Sequence, residues 1–135
     1  MKTFPHRLRP GQDLKRELNE LVLRHDWPAA CLLTGIGSLT QAAIRFANRD
    51  ETSILDGPLE IVSLNGTLSR DGAHLHISVS DGDGQVFGGH LMEGSTVYTT
   101  AEVVLAVLPD WEFSRSIDPA TGYAELSIKP TEPGE

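Results

Sequence analysis

The segment HLHISVSDGDGQVFGGHL, residues 74–91, predicts a β-hairpin and decides the fold class of the chain. Apolar and polar side chains alternate along its first half, which is typical of a half-buried strand. The apolar side chains share the face that we expect to meet the core: Leu75, Ile77 and Val79. The histidines of this strand therefore lie on its polar face rather than in the core.

Glycine and aspartate separate the two strands of this hairpin. If the loop is residues 82–84, with Gly84 in the left-handed conformation, Asp81 pairs with Gln85. That register continues along the hairpin and predicts Ser78 opposite Gly88. A loop of four residues would shift the pairing by one and turn the second strand over.

The three-residue loop brings three imidazoles together. It places His76 opposite His90, and directly opposed side chains have Cβ atoms about 4.5–5.5 Å apart. His74 lies two residues along the same face. Three histidines so arranged can hold one divalent metal, most naturally zinc, and leave a fourth position open.

Two other interpretations of the histidines remain open. They can be solvent-facing polar residues with no shared purpose, or they can form a metal-free site that binds a ligand or handles protons. Gly88 and Gly89, beside His90, leave room for a ligand or for a neighbouring backbone. We expect His6 and His25 to be isolated surface residues.

The rest of the chain predicts one principal helix and several strands. The segment GQDLKRELNELVLRHDW has apolar residues at helical spacing and predicts a helix at about residues 11–26. We expect separate strands in AACLLTGIGSL and QAAIRFAN, with a turn at GIGS, and a break at Asp56-Gly57-Pro58. This pattern favours an α+β fold with a mainly antiparallel sheet. We expect one domain over residues 1–129 and a frayed polar tail over residues 130–135.

Composition excludes several classes of protein. The 135 residues carry a net charge of −8, and no basic run interleaves with aromatics, so direct binding of duplex DNA by the isolated chain is not expected. No signal peptide and no run of about 18 apolar residues is present, so a membrane span is not expected. A single cysteine cannot form an intrachain disulfide, and we expect a reducing cytoplasm. Cys31, the single cysteine, lies in an apolar run and is expected in the core.

Two acidic residues stand in apolar surroundings. Glu60 lies in PLEIVSL and Glu102 in TTAEVVL. A carboxylate there is costly unless it is paired or hydrated. Either residue is a candidate general base or a partner for a metal-binding imidazole, although a carboxylate at an edge or interface is the simpler interpretation.

These segments together resemble the plant- and prokaryote-conserved (PPC) domain. The resemblance rests on LRPGQDLKREL, LLTGIGSLTQAAIRF, LEIVSLNGTLS, HLHISVSDGDGQVFGGHLM and VYTTAEVVL, in that order. It implies an α+β domain that assembles as a homotrimer, with the family's histidine motif on His74, His76 and His90. In land plants the domain is preceded in the chain by AT-hook segments that bind DNA. An AT-hook needs an Arg-Gly-Arg-Pro core, which this sequence lacks.

Three functional classes follow. The first is a homotrimeric binding module that holds a divalent metal or small ligand, with a possible protein partner. The second is a zinc-dependent enzyme, with Glu60 or Glu102 as its base. The third is a DNA-associated regulator, as the family resemblance suggests. We favour the binding module, because the sequence does not supply a full set of catalytic roles.

Overall fold

One helix and eight strands make up residues 1–133, the part of the chain that the computed structural model describes. In chain order they are β1 (Lys2–Leu8), α1 (Leu14–His25), β2 (Ala30–Arg45), β3 (Ser53–Ser69), β4 (Gly72–Ser80), β5 (Val86–Leu91), β6 (Thr96–Val107), β7 (Trp111–Ile117) and β8 (Ala124–Pro130). The α+β class with a mainly antiparallel sheet is confirmed.

β2 is the central strand of the main sheet. The six strands of that sheet lie in the order β1-β6-β2-β3-β4-β5, and every pair is antiparallel. The end of β2 also pairs with β5, through Ile44 opposite Leu91 and Arg45 opposite His90. Strands β2 to β5 therefore close into a ring, and β7 and β8 form a separate two-stranded sheet.

The principal helix forms where the sequence predicts it. Its apolar stripe is fully buried against the sheet: Leu14, Leu18, Leu21 and Val22. Asp13 caps its start, because the Asp13 carboxylate accepts the backbone N–H of Arg16 at 3.0 Å. The same carboxylate accepts the backbone N–H of Gly94 at 2.6 Å and so fixes the helix to the segment before β6.

The predicted breaks in β2 and β3 were wrong. AACLLTGIGSL and QAAIRFAN belong to one strand of 16 residues, and β3 runs through Asp56-Gly57-Pro58 as a strand of 17 residues. The pairing of β2 with β3 shifts register between Leu39 and Gln41, opposite that segment. A β-bulge thus absorbs the irregularity that we took for a turn.

GIGS is also strand rather than turn. Gly37 has a φ of 150°, and a Cβ on it would clash with the carbonyl oxygen of Thr100 on β6. Gly35 lies against the side chain of Leu64 on β3. These glycines allow the neighbouring strands to approach β2 closely, which is a packing role that the local sequence does not distinguish from a turn.

Cys31 does not lie in the core. Cys31 is only half-buried, on the face of β2 opposite to the buried Ala30 and Leu32, so its assignment to the core was wrong.

The expected polar tail begins inside β8. The Thr131 backbone N–H donates to the backbone carbonyl of Asp110 at 2.9 Å. Residues 134 and 135 lie outside the described residues. Within residues 1–133, no helix is long and apolar enough to cross a membrane.

Gly37→Ala should lower the free energy of unfolding by about 2 kcal/mol or more, because β6 leaves no space for a Cβ. Gly82→Ala is the matched control, since a Cβ at residue 82 meets nothing within 4 Å. Chemical denaturation at one fixed protein concentration measures both. Equal losses in the two variants would contradict the close approach of β6 to β2.

Candidate metal centre

The hairpin formed by β4 and β5 has the predicted three-residue loop. The Asp81 backbone N–H donates to Gln85 at 3.0 Å, and Gly84 has a φ of 79°. The Asp81 carboxylate also accepts the backbone N–H groups of Asp83 and Gln85, both at 2.9 Å. The loop is thereby fixed from within, and it determines the register of the whole hairpin.

That register brings the three histidines together. His76 pairs with His90, as predicted, and Ser78 pairs with Gly88. The ring centroids of His76 and His90 are 4.5 Å apart, and that of His74 lies 5.3 Å from the first and 5.2 Å from the second. One ring nitrogen from each residue can be chosen so that all three lie within 4.8 Å of one another.

This geometry fits a metal ion once the three imidazoles move slightly closer together. Nitrogens bound to tetrahedral zinc at 2.0–2.1 Å are about 3.4 Å apart, so a pair separated by 4.8 Å must approach by about 1.4 Å. The backbone beneath the rings is rigid, because Leu75, Ile77 and Leu91 are buried in the core. The imidazoles themselves are exposed or half-buried, so their side chains are the groups that would move.

The surrounding residues form two rows across the sheet. The first row is Asn65 on β3, His76, His90 and Arg45 on β2, each opposite the next. The second row places Thr67 on β3 opposite His74. The position of Arg45 beside His90 could not be predicted, because the pairing of β2 with β5 has no signal in the local sequence.

Arg115, on β7, completes the surroundings and was missed by the sequence analysis. Its backbone N–H donates to the Asp71 carboxylate at 2.8 Å, and its guanidinium donates to the Thr67 hydroxyl at 3.1 Å. A cavity of about 420 Å³ has Arg115, His74 and His76 in its wall. Arg115 is 41 residues from His74 in sequence, so only the docking of the β7–β8 hairpin brings the two together.

The pKa values of two of the histidines are lowered. Partial burial is the largest cause for His74, followed by the positive charge of Arg115. Burial also leads for the pKa of His90, followed by the charge of Arg45. Although His74 is an exposed residue, its ring stacks on that of His90. Both imidazoles are therefore neutral at neutral pH, which is the form that binds a metal.

The two glycines beside His90 serve the backbone. A Cβ on Gly89 would lie 2.7 Å from the Arg45 carbonyl oxygen, and one on Gly88 would lie 2.8 Å from that of Ile77. Of the two uses that the sequence suggested, close approach of a neighbouring strand is the one observed. It is this approach that lets β5 pair with both β4 and β2.

The remaining candidates lie elsewhere. Glu60 and Glu102 are exposed, and each lines a different cavity from those that contain the three histidines. His25 is exposed as expected, whereas His6 is half-buried. Neither is isolated, because both rings pack near Phe4, with centroid distances of 4.9 Å for His25 and 6.1 Å for His6.

Comparison with known proteins identifies the family. Residues 1–109 match the Plants and Prokaryotes Conserved (PCC) domain. The chain belongs to this family, which is the plant- and prokaryote-conserved (PPC) domain that the sequence resembles. A PCC-type sequence also occurs within a longer protein, since the chain is 50% identical over 130 residues to the bifunctional protein GlmU of Synechococcus sp. (strain JA-2-3B'a(2-13)). The match covers 96% of the chain but only 21% of that relative.

Solved structures share the whole fold. A protein from Salmonella cholerae-suis is 43% identical, with a TM-score of 0.93 over 96% of this chain and 94% of that one. A metal-containing protein from Archaeoglobus fulgidus is 31% identical, with a TM-score of 0.76 and coverage of 93% and 92%. A candidate DNA-binding protein from Ralstonia eutropha JMP134 is 26% identical, with a TM-score of 0.80 and coverage of 93% and 90%.

In metal-free protein, His74 and His90 should titrate below the ordinary histidine value of about 6.5, as followed by NMR. Because folding lowers these pKa values, the unfolded chain binds more protons just below pH 6.5. The contribution of these two histidines to the free energy of unfolding should therefore be constant well above that pH and fall as the pH is lowered through the window beneath it.

Arg115→Gln should raise the pKa of His74 toward its ordinary value, because it removes a neighbouring positive charge. The pKa of His90 should respond less, since Arg45 is the leading charge there. Arg7→Gln, on β1, is the charge-matched control. If Arg115→Gln leaves the His74 titration unchanged, the guanidinium does not lie beside this imidazole.

Proposed function

We propose that this chain is a homotrimeric PCC-domain binding module that holds a divalent transition metal, most naturally zinc, on His74, His76 and His90. The observation that carries the proposal is the convergence of three imidazole nitrogens within 4.8 Å on a rigid hairpin. Three protein ligands leave a fourth position for water, for an atom of a small ligand or for a residue from a partner.

The donor set favours this assignment. Neutral imidazole nitrogen is a preferred ligand of zinc and of several other transition metals, whereas calcium and magnesium prefer oxygen. The Archaeoglobus fulgidus relative, which shares the fold at 31% identity, is described as containing a metal. When bound, a metal of this kind polarises whatever occupies its open position.

An enzyme is the weaker alternative. A zinc-dependent hydrolytic site needs a general base within hydrogen-bond reach of the reacting proton. Glu60 and Glu102, the candidate bases, line cavities that do not include the histidines. The arrangement thus supports ligand binding at an open metal position without supplying a second catalytic group from either residue.

A DNA-associated regulator is the third possibility, and the name of the Ralstonia eutropha relative favours it. Charge opposes it for the isolated chain, because each copy carries −8 and a trimer would carry three times that charge. If the chain bound DNA directly, it would be retained on duplex DNA at physiological salt. This retention would weaken steeply as salt is added. Association through a basic partner protein would not meet that obstacle.

His76→Ala and His90→Ala should each weaken metal binding by more than about a hundredfold, because even loss of a residue that only supports a ligand costs about 10–100-fold. Elemental analysis and calorimetric titration with zinc measure the effect. His25→Ala is the matched control, since it removes an exposed histidine outside the cluster. Circular dichroism should be unchanged in all three variants, because the core beneath the hairpin is apolar and intact.

The metal proposal fails if wild-type protein takes up no zinc, nickel, cobalt or manganese at neutral pH. It also fails if both His76→Ala and His90→Ala bind the metal as tightly as wild type. Either result would leave the three histidines as a metal-free site or as unrelated surface residues.

The homotrimer is proposed from the family resemblance together with an exposed apolar face. Leu33 and Ile36 on β2 and Val62 on β3 are each more than half exposed, at 51%, 54% and 55%. Strands that leave apolar side chains in solvent create a surface that self-association can cover. The same face carries a cavity of about 570 Å³ with Pro5, Ile36 and Val104 in its wall.

Light scattering at micromolar concentration should give a mass three times the 14.7 kDa of one chain. Ile36→Asp should shift the protein toward smaller species, because a carboxylate would have to be buried at the interface. Leu23→Asp is the control, since Leu23 is an exposed residue of α1. A monomeric mass for wild type would rule out the trimer.

A further inference from the structure

Three half-buried cations surround the histidine cluster although the chain as a whole is acidic. They are Lys15 on α1, Arg45 on β2 and Arg115 on β7. All three act on the same imidazole, since the charge of each lowers the pKa of His74. A net charge of −8 makes such a concentration of positive charge around one site unexpected from composition.

The two arginines lie at opposite sides of the cluster. Arg45 pairs directly with His90 in the sheet, and Arg115 is held on Thr67, which pairs directly with His74. Both line one cavity of about 400 Å³ together with His74 and His90. This volume lies within the range of sites that hold small molecules.

The guanidinium groups retain donors for a ligand. Arg45 donates one side-chain hydrogen bond, to the Arg49 carbonyl at 3.2 Å, and Arg115 donates one to Thr67. Each guanidinium has five N–H donors. Neither arginine nor Lys15 belongs to any of the ion pairs formed within residues 1–133. A pair of partly buried, unpaired guanidiniums is suited to a bidentate oxyanion.

We infer that the cavity between Arg45 and Arg115 binds a small ligand through an oxyanion, carried by a phosphate or a carboxylate group, beside the open position of the metal. This inference rests on the proposed metal centre and names the chemical class of its ligand. The two arginines would neutralise the anion, and a metal held on the three imidazoles would supply further positive charge beside it. Lys15 contributes further positive charge from the side of α1.

The carboxylates nearby offset only part of this charge. Glu93 pairs with Arg16 at 3.6 Å, and Asp71 accepts the backbone N–H of Arg115 rather than its guanidinium. Glu125 lines the same cavity as the two arginines and forms no ion pair within residues 1–133. An anion that enters the cavity therefore meets two available guanidiniums and one carboxylate.

The test is calorimetric titration of inorganic phosphate, and separately of acetate, into wild-type protein. Both the metal-free protein and the zinc-loaded protein cleared of unbound zinc are titrated. At least one anion should bind, more tightly to the loaded form. Arg115→Gln and Arg45→Gln should each raise the dissociation constant about tenfold or more, as loss of a charge-assisted hydrogen bond predicts. Tighter binding of phosphate or of acetate shows which group the ligand carries.

Arg24→Gln is the charge-matched control, because Arg24 is an exposed cation in the last turn of α1. It should stay within about twofold of wild type. Arg115→Lys keeps the charge but not the paired donors, so its affinity should lie between those of Arg115→Gln and wild type. Circular dichroism and zinc uptake, measured on every variant, show whether the hairpin and the metal site remain intact.

The two proposals fail in different ways. Absence of metal in wild type, read by elemental analysis, overturns the metal centre, and the metal-free titration still decides the anion site. The anion site is overturned if phosphate and acetate bind neither form of wild type. It is equally overturned if Arg115→Gln and Arg45→Gln bind both anions as tightly as wild type does.

Discussion

The pairing of β2 with three other strands is the constraint on which the rest of the structure depends. β2 lies between β3 and β6 along most of its length, and its last two residues pair with β5. This last contact needs Gly89, whose missing Cβ lets the Arg45 carbonyl approach. Closure of the ring buries one side of β4 and β5 and leaves the other side, with its histidines, facing outward.

The site follows from strand alternation combined with this closure. On β4, Leu75 and Ile77 point into the core while His74 and His76 point out, so burial of the first pair holds the second in place. β5 supplies the third imidazole, and β2 supplies a cation beside it. Because these groups stand on hydrogen-bonded strands, the proposed binding of a metal or an anion would require little ordering of the site.

Sequence reasoning predicted what local chemistry determines and missed what long-range pairing determines. The three-residue loop, with Gly84 and the Asp81 carboxylate, placed His76 opposite His90 correctly, because loop length alone sets the register. The continuity of β2 through GIGS was missed, since a glycine that admits a neighbouring strand resembles one that makes a turn. Arg115 was missed because its position depends on how a separate hairpin docks, which no short pattern encodes.

The candidate site combines residues of the family-matched region with one residue from the β7–β8 hairpin. All three histidines lie within residues 1–109, the span that matches the PCC family, whereas Arg115 lies beyond it. Backbone groups hold this hairpin to the domain, through Phe113 N–H on the Pro28 carbonyl at 2.9 Å and Arg115 N–H on the Asp71 carboxylate. The Arg115 guanidinium adds a contact to the Thr67 hydroxyl, but the two backbone contacts are open to any residue with an N–H at position 115. In the proposed site, the side chain at that position would set which ligand is preferred, while the strands beneath it would set whether a metal is held.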